Sequence, residues 1–389
     1  MDTVGSDAIT RRSLIAAGGV VATNLIRPRP ALARLLARGP TASLAQLPLV
    51  SLGLQAGPGQ PPIVARRAWA QGGAPPKVAP EYGTVKLAFV HHTENPDGYG
   101  AAAVPGMLRS IYDFHRFTHG WNDIGYNFVI DRFGRIFEAR AGGIDEPVIG
   151  AHAGGYNAYS TGIAILGSYS SQVISPPARA ALEQLLAWKL SLHGAPVEGH
   201  VTVRVTSGGA VYSRYPAHTP VSLPRVAGHR DGDSTDCPGD ALYGELQAVR
   251  QSTVRLAPAP ARATIQLQSG EAGAPATLSG TLRLLSGAPI ANAPVAIQLR
   301  TVAHRGERVA ERTIAQALTD PEGQWELAVA ISPAQVGKTV LRALSTGAGG
   351  VPVTVSDPLV VAGTVSFTVP PTPGEASAPS PPSSPPPGS

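Results

Sequence analysis

The sequence predicts an α/β fold, in which a mixed β-sheet is flanked by helices, followed by a small all-β sandwich. Apolar runs of strand length alternate with amphipathic helical patterns between residues 85 and 255, and only short alternating runs follow residue 260. The chain also has 44 Gly and 38 Pro among 389 residues, which indicates many loops and excludes a single helical bundle.

The α/β part begins with a mostly apolar strand that ends at His91. A turn at 131–134 joins two later strands in a hairpin, and Gly194 ends a helix opened by Pro176. Strands are predicted at 85–90, 126–130, 135–139 and 161–166, and helices at 104–119, from 176 to Gly194, and at 241–250.

The second half of the chain has a different pattern. Short runs at 264–268, 276–284, 295–299, 324–329 and 339–343 are split by Gly, Pro and Asp, as in an all-β sandwich. The segment TDPEGQW at 319–325 resembles the turn and strand of bacterial immunoglobulin-like modules. The last 20 residues hold nine Pro and one charged residue, and are predicted to be a solvated, polyproline-type tail.

The N-terminus has the pattern of an export signal. Arg11 and Arg12 precede a weakly apolar run at 14–26, which is too short to span a bilayer, and Ala31 to Ala33 form a small-x-small cleavage site. We therefore predict a twin-arginine signal peptide at 1–33 and no transmembrane segment in the mature chain.

These patterns divide the rest of the chain into four parts. We predict a linker at 34–60, the α/β domain at 61–256, a β-sandwich module at 257–369 and a disordered Pro/Ser-rich tail at 370–389.

Charge and cysteine content narrow the function. The formal net charge is +5, with no Lys/Arg cluster in the body of the chain, which argues against a nucleic-acid partner. Cys237 is the only cysteine, so an internal disulfide and a four-cysteine zinc finger are both excluded.

Three residues have the chemistry of a metal site. His91 follows a strand, and His229 and Cys237 are separated by seven residues rich in Gly, Asp and Ser, a loop able to fold back on itself. Two imidazoles and one thiolate suit zinc (Zn2+), with a fourth position left for water.

Other interpretations use the same residues. A blue-copper centre is disfavoured because the only methionines are Met1 and Met107. A Cys/His hydrolase would make Cys237 a nucleophile, and an inert buried cysteine with surface histidines is the remaining alternative.

Five motifs in order resemble those of the peptidoglycan recognition protein and type-2 N-acetylmuramoyl-L-alanine amidase family. They are FVHHT (89–93), WNDIGYNF (121–128), GAHAGGYN (150–157), GIAILG (162–167) and GHRD (228–231) with CPG (237–239). The match spans residues 61–250, about half of the chain, and RRAW at 66–69 resembles the start of that domain.

The resemblance implies that His91, His229 and Cys237 bind zinc and that the Tyr126 hydroxyl acts at the reaction centre. Thr235 stands where phage members of the family have Lys and many recognition-protein amidases have Thr, so it is a second candidate catalytic residue that would either orient the substrate carbonyl or only be tolerated there. His92, His152 and Asn157 fall where the family lines its substrate groove, although His152 and Asn157 would equally suit a role in holding the loop, and His92 one in supporting the ligands.

One segment departs from the compact phage members. Runs at 201–205 and 211–215 predict an added hairpin close to the ligand loop, which would either border the groove or only widen the fold.

The resemblance implies an exported zinc amidase that cleaves the bond between N-acetylmuramic acid and L-alanine in peptidoglycan. We expect it to be a monomer, secreted or associated with the cell wall, with peptidoglycan or muropeptides as its partners. A non-catalytic peptidoglycan-binding protein and a wall adhesive carried by the β-module are the alternatives.

Overall fold

The computed structural model describes residues 59–71, 73–257, 261–268, 276–301, 310–332, 338–345, 353–362 and 364–366. The predicted signal peptide at 1–33, almost all of the linker and the tail at 370–389 lie outside these residues. Among the described residues, no helix combines the length and the apolar character needed to cross a membrane.

A mixed six-stranded sheet forms the centre of the α/β part. Its order is β1-β4-β3-β5-β2-β8, with β3 and β4 antiparallel and the other neighbours parallel. The strands up to residue 257 are β1 (Ile63–Val64), β2 (Leu87–His92), β3 (Phe128–Ile130), β4 (Ile136–Glu138), β5 (Ser160–Ile165), β6 (His200–Arg204), β7 (Pro220–Pro224) and β8 (Val226–Gly228).

Helices cover both faces of this sheet. They are α1 (Arg67–Ala70), α2 (Val104–Asp113), α3 (Pro176–Leu192), α4 (His229–Gly232) and α5 (Asp240–Leu256). Ile163 and Ile165 of β5 pack in the cluster that contains the apolar residues of α3 and α5, whereas Ala164 packs with those of α1 and α2. Because successive side chains of a strand point to opposite faces, a strand buried on both faces is apolar throughout.

The predicted helix boundaries have clear physical causes. Ser175 caps α3 by accepting a hydrogen bond from the Ala178 N–H at 3.3 Å, and Pro176 occupies the first turn. Gly194 follows the helix with φ +63°, where an added Cβ would lie 2.6 Å from the Ala261 carbonyl oxygen. After α2 the chain continues in a π-helical turn, Phe114–Thr118, so the predicted helix at 104–119 is confirmed in extent but not in regularity.

The added hairpin is present, but its predicted second strand is wrong. β6 pairs with β7, and residues 211–215 lie in the connection between them. Val221 and Leu223 face the core, which gives β7 the alternation of a half-buried strand, whereas Val211 and Tyr212 are 74% and 64% exposed.

Residues 261–366 contain two antiparallel sheets. One has the order β10-β11-β14-β18 with β9 paired to β11, and the other has the order β13-β12-β15-β16 with β17 paired to β15. The sheets share an apolar cluster that includes Trp325 and Leu341. The strands are β9 (Ala261–Ala263), β10 (Gln266–Gln268), β11 (Ala276–Leu284), β12 (Pro294–Thr301), β13 (Ala310–Leu318), β14 (Gln324–Ser332), β15 (Lys338–Ser345), β16 (Thr354–Val355), β17 (Leu359–Ala362) and β18 (Thr364–Ser366).

A buried ion-pair cluster joins these sheets to the α/β part. Arg342 of β15 contacts the carboxylates of Asp145 and Glu146, the latter at 2.8 Å, and its Nε donates to Gln298 Oε1 at 2.7 Å. Lys189 of α3 donates to the Glu146 carbonyl at 2.8 Å. All four charged side chains are almost fully buried, so each requires its partners.

Replacement of Arg342 by Met should destabilise the whole protein. The change keeps an unbranched apolar stem but removes the cation, which leaves two carboxylates buried without the Arg342 guanidinium; breaking such a buried pair costs about 3–5 kcal/mol. Denaturant unfolding measures this loss. Arg255→Met, at an exposed position of α5, is the matched control and should change the unfolding free energy by less than about 0.5 kcal/mol. Equal, small effects of the two substitutions would contradict the prediction.

Candidate metal centre

The parallel pairing of β2 and β8 brings two predicted ligands together. Val90 of β2 is paired with Gly228 of β8. The residue that follows each of them is a histidine, His91 after Val90 and His229 after Gly228. His91 lies within β2, which ends two residues later than the predicted strand at 85–90, and His229 is the first residue of α4. Cys237 returns to the same point through the loop that follows α4.

The three donor atoms fit one tetrahedral ion. The possible ligand atoms of His91, His229 and Cys237 all lie within 4.8 Å of one another, and this is the metal-ligating set found in the described residues. His91 Nδ1 and Cys237 Sγ are 3.7 Å apart. Tetrahedral zinc with ordinary Zn–N and Zn–S bonds would hold such atoms about 3.6 Å apart.

Each histidine uses its other ring nitrogen for a protein contact. His91 Nε2 lies 3.2 Å from His152 Nδ1, and His229 Nε2 lies 2.9 Å from Asp233 Oδ2. Both rings therefore keep Nδ1 for the ion. We did not predict Asp233 as part of the site, although its position four residues after His229 is the spacing at which helical side chains meet.

Burial sets the protonation states of the centre. Desolvation, followed by the neighbouring charges of His229, His152 and His92, holds the pKa of His91 well below its usual range, so its imidazole is neutral as a ligand must be. Burial also raises the pKa of the Cys237 thiol to about 12. A nucleophilic cysteine needs a lowered pKa, so this environment disfavours that alternative, whereas a bound cation would itself deprotonate the thiol.

Tyr126 lies beside the ligands. Its ring centroid is 5.3 Å from that of His91 and 5.5 Å from that of His115. Burial, with smaller contributions from the charges of Cys237 and Glu94, raises the pKa of the Tyr126 phenol, so the hydroxyl keeps its proton at neutral pH. The group can therefore donate a hydrogen bond but is a poor base.

Thr235 supports the ligand loop. Its Oγ1 accepts a hydrogen bond from the Cys237 backbone N–H at 3.2 Å, and its side chain is half-buried two residues before the ligand. The Arg230 backbone N–H also donates to the Cys237 carbonyl, at 2.9 Å, so the return of the chain is fixed on both sides of Cys237.

Two of the predicted groove residues, His92 and Asn157, hold neighbouring backbone groups. His92 is buried and its Nδ1 accepts from the Tyr169 backbone N–H at 3.2 Å, while its Nε2 lies 3.3 Å from the exposed Glu94 carboxylate. Asn157 Oδ1 accepts from the backbone N–H groups of His152 and Ala153 and so holds their loop.

His152 is enclosed between two glycines. An added Cβ at Gly150 or at Gly162 would lie 2.4 Å from the His152 ring, so only glycine allows this ring to reach His91. Burial, with the charges of His229 and Arg140, lowers the pKa of His152 well below its usual range. The ring is therefore a neutral partner of a metal ligand.

Part of the chain is similar to proteins of a known family. The N-acetylmuramoyl-L-alanine amidase family profile matches residues 81–240. Peptidoglycan-recognition protein SC1a of Drosophila melanogaster is 31% identical over 163 residues, which are 42% of this chain and 72% of that protein. The human N-acetylmuramoyl-L-alanine amidase is 33% identical over 235 residues, or 57% of this chain and 34% of that protein. The solved structure of Drosophila PGRP-LB is 26% identical, with a TM-score of 0.36 over 48% of this chain and 92% of that chain.

The buried His115 generates a prediction about pH. Its Nδ1 accepts from the Gly125 N–H at 3.0 Å, and burial, with the charges of His119 and Arg140, lowers its pKa to about 3. An unfolded histidine titrates near 6.5, so the unfolded chain binds one more proton than the folded chain between these values, and this contribution to stability is lost as the pH falls through that window.

His115→Gln should therefore flatten the pH dependence of stability in the metal-free protein. The slope of unfolding free energy against pH between 4 and 6 should fall by roughly 1.4 kcal/mol per pH unit. Denaturant unfolding in the presence of a chelator measures this slope. His200→Gln, at an exposed position of β6, should leave it unchanged. An unaltered slope in His115→Gln would show that the folded protein binds the same proton.

Proposed function

Since this chain belongs to the peptidoglycan recognition protein and N-acetylmuramoyl-L-alanine amidase family, we propose that it is a zinc-dependent amidase. Its reaction would be hydrolysis of the amide between the lactyl group of N-acetylmuramic acid and L-alanine in peptidoglycan. The observation that carries the proposal is the convergence of His91, His229 and Cys237 within 4.8 Å, at the end of two paired parallel strands.

The donor set fits zinc and leaves a coordination position open. Two neutral imidazoles and one thiolate are three protein ligands, which is the number that catalytic zinc sites have. When bound, zinc supplies Lewis acidity, which polarises a carbonyl and lowers the pKa of water. Zinc is therefore the cofactor that we propose.

Tyr126 and Thr235 are the proposed catalytic residues. The protonated Tyr126 hydroxyl would donate to the oxyanion that develops on the scissile carbonyl, because it stands beside the ligand His91 and burial keeps its proton in place. Thr235 Oγ1 already accepts from the Cys237 N–H, so its own hydroxyl hydrogen is the donor available to the substrate.

The three residues predicted to bind substrate would have different roles. The amide nitrogen of Asn157 is the group left to donate to a muropeptide, since its oxygen holds the loop. His92 would orient the exposed Glu94 at the edge of the site. For His152, the contact with His91 favours holding a metal ligand over touching the substrate.

The remaining expectations complete the proposal. We propose export by the twin-arginine signal, a location outside the cell or on its wall, peptidoglycan as partner and a monomeric state. We also propose that the boundaries near residues 61, 256 and 369 hold and that the two C-terminal sheets form an immunoglobulin-like sandwich. The alternative function is recognition without cleavage; the ligand Cys237 is the feature of this chain that favours the enzyme.

Replacement of Cys237 by Ser tests the metal. A neutral hydroxyl is a far poorer zinc ligand than a thiolate, so the variant should lose most of the roughly one zinc per chain that we expect, together with muropeptide hydrolysis. Metal analysis and mass spectrometry of digested muropeptides measure both. Ser234→Ala, in the same loop and exposed, should keep both. A Cys237→Ser variant with full zinc and activity would refute the ligand set.

Replacement of Tyr126 by Phe separates catalysis from recognition. Loss of one oxyanion donor should lower kcat by roughly 10²-fold or more, with little change in KM. Steady-state hydrolysis of a soluble muropeptide measures both constants. Tyr159→Phe, whose ring lies 5.1 Å from the Lys86 ammonium group, is the control and should behave as the unmodified protein. A raised KM with constant kcat would show that Tyr126 only binds substrate.

A further inference from the structure

We propose that Asp233 is a positioning residue for the metal ligand His229. The proposal rests on the zinc site proposed above and adds a residue to it. His229 Nε2 and Asp233 Oδ2 are 2.9 Å apart, and the Asp233 side chain is buried. A carboxylate at this place fixes the neutral tautomer that carries its hydrogen on Nε2 and directs the Nδ1 lone pair towards the ion.

A second hydrogen bond fixes Asp233 itself. Its Oδ2 also accepts from the Gly154 backbone N–H at 2.7 Å. Gly154 belongs to the loop that begins with His152, the partner of the other histidine ligand. One carboxylate oxygen therefore links the His229 ring to the loop that contacts His91. This hydrogen-bonded loop positions both histidines.

The connection between β6 and β7 covers Asp233. We call residues 205–219 the covering loop. Its Arg214 N–H donates to the Gly232 carbonyl at 2.8 Å, its Tyr212 carbonyl accepts from the Ser234 N–H at 3.0 Å, and Ser213 forms an isolated β-bridge with Asp233.

The covering loop also contacts Gly154 and Gly155, in the loop that begins with His152. The Thr206 backbone N–H donates to the Gly155 carbonyl at 2.9 Å, and an added Cβ at Gly154 would lie 2.3 Å from the Gly209 carbonyl oxygen. The hairpin added to this chain thus covers Asp233, whose side chain is 5% exposed, and burial of a carboxylate strengthens its charge-assisted hydrogen bond.

The two histidine ligands are supported differently. His91 Nε2 lies 3.2 Å from the His152 imidazole, whereas His229 Nε2 lies 2.9 Å from the Asp233 carboxylate. A carboxylate partner makes an imidazole a more basic ligand than a neutral partner does. Asp233 should therefore contribute directly to zinc affinity.

The test is zinc affinity in the full chain. Asp233→Asn keeps the size of the side chain and removes the charge, and should weaken zinc binding by about 10- to 100-fold, as loss of such a partner does in other metal sites. Competition with a chelator of known affinity measures the dissociation constant. Asp231→Asn is the matched control: it removes the same charge from α4, where the Asp231 carboxylate accepts from the Gly228 N–H at 2.8 Å and from the Tyr243 hydroxyl, and its zinc dissociation constant should stay within about threefold of that of the unmodified protein.

A spectroscopic readout distinguishes positioning from a general loss of stability. In the zinc-loaded protein labelled with nitrogen-15, proton NMR should show the His229 Nε2–H signal far downfield. This signal should move upfield in Asp233→Asn but not in Asp231→Asn. Unchanged zinc affinity and an unmoved signal in Asp233→Asn would overturn the proposed role of Asp233 and leave the proposed zinc site standing. An unmodified protein that binds no zinc would overturn both this inference and the proposed amidase.

Discussion

The parallel pairing of β2 with β8 is the constraint on which the metal centre depends. Parallel strands present their carboxyl ends at one edge of a sheet, and the register places Val90 opposite Gly228. The two histidines that follow are therefore neighbours, with ring centroids 4.4 Å apart, although 138 positions separate them in sequence. Burial of β2 on both faces fixes this register, because a slip of one residue would turn His91 into the apolar core.

Much of this arrangement follows from sequence patterns and part of it does not. Apolar runs and the Pro176 and Gly194 signals predict the strands and helices of the α/β part, since periodicity and capping are local properties. The partner of β6 is set by a connection of fifteen residues, so the apolar run at 211–215 was as plausible a strand as β7. β13 escaped prediction because its Ala, Thr and Gln residues give weak alternation.

The site shows the same division. The sequence predicts the candidate ligands His91, His229 and Cys237 because few residue types bind zinc and because they lie in motifs that resemble those of the family. The sequence does not predict the contact of Asp233 with His229 or that of His152 with His91. Both contacts depend on the orientation of an imidazole ring, which sets whether Nδ1 or Nε2 faces the candidate metal site. His91 and His152 are 61 positions apart in sequence, so their contact depends on the three-dimensional packing of the His152 ring between Gly150 and Gly162.

The C-terminal sheets bear on this site through stability. Arg342 reaches Asp145 and Glu146, which precede the loop of His152 by only a few residues, and Thr354 donates to the Leu192 carbonyl at the end of α3 at 2.9 Å. A module attached only by a linker would leave these carboxylates to water. Because they are instead buried with their cation, the β-module and the segment leading to the metal centre share one set of charges, and the module is part of what holds that segment in place.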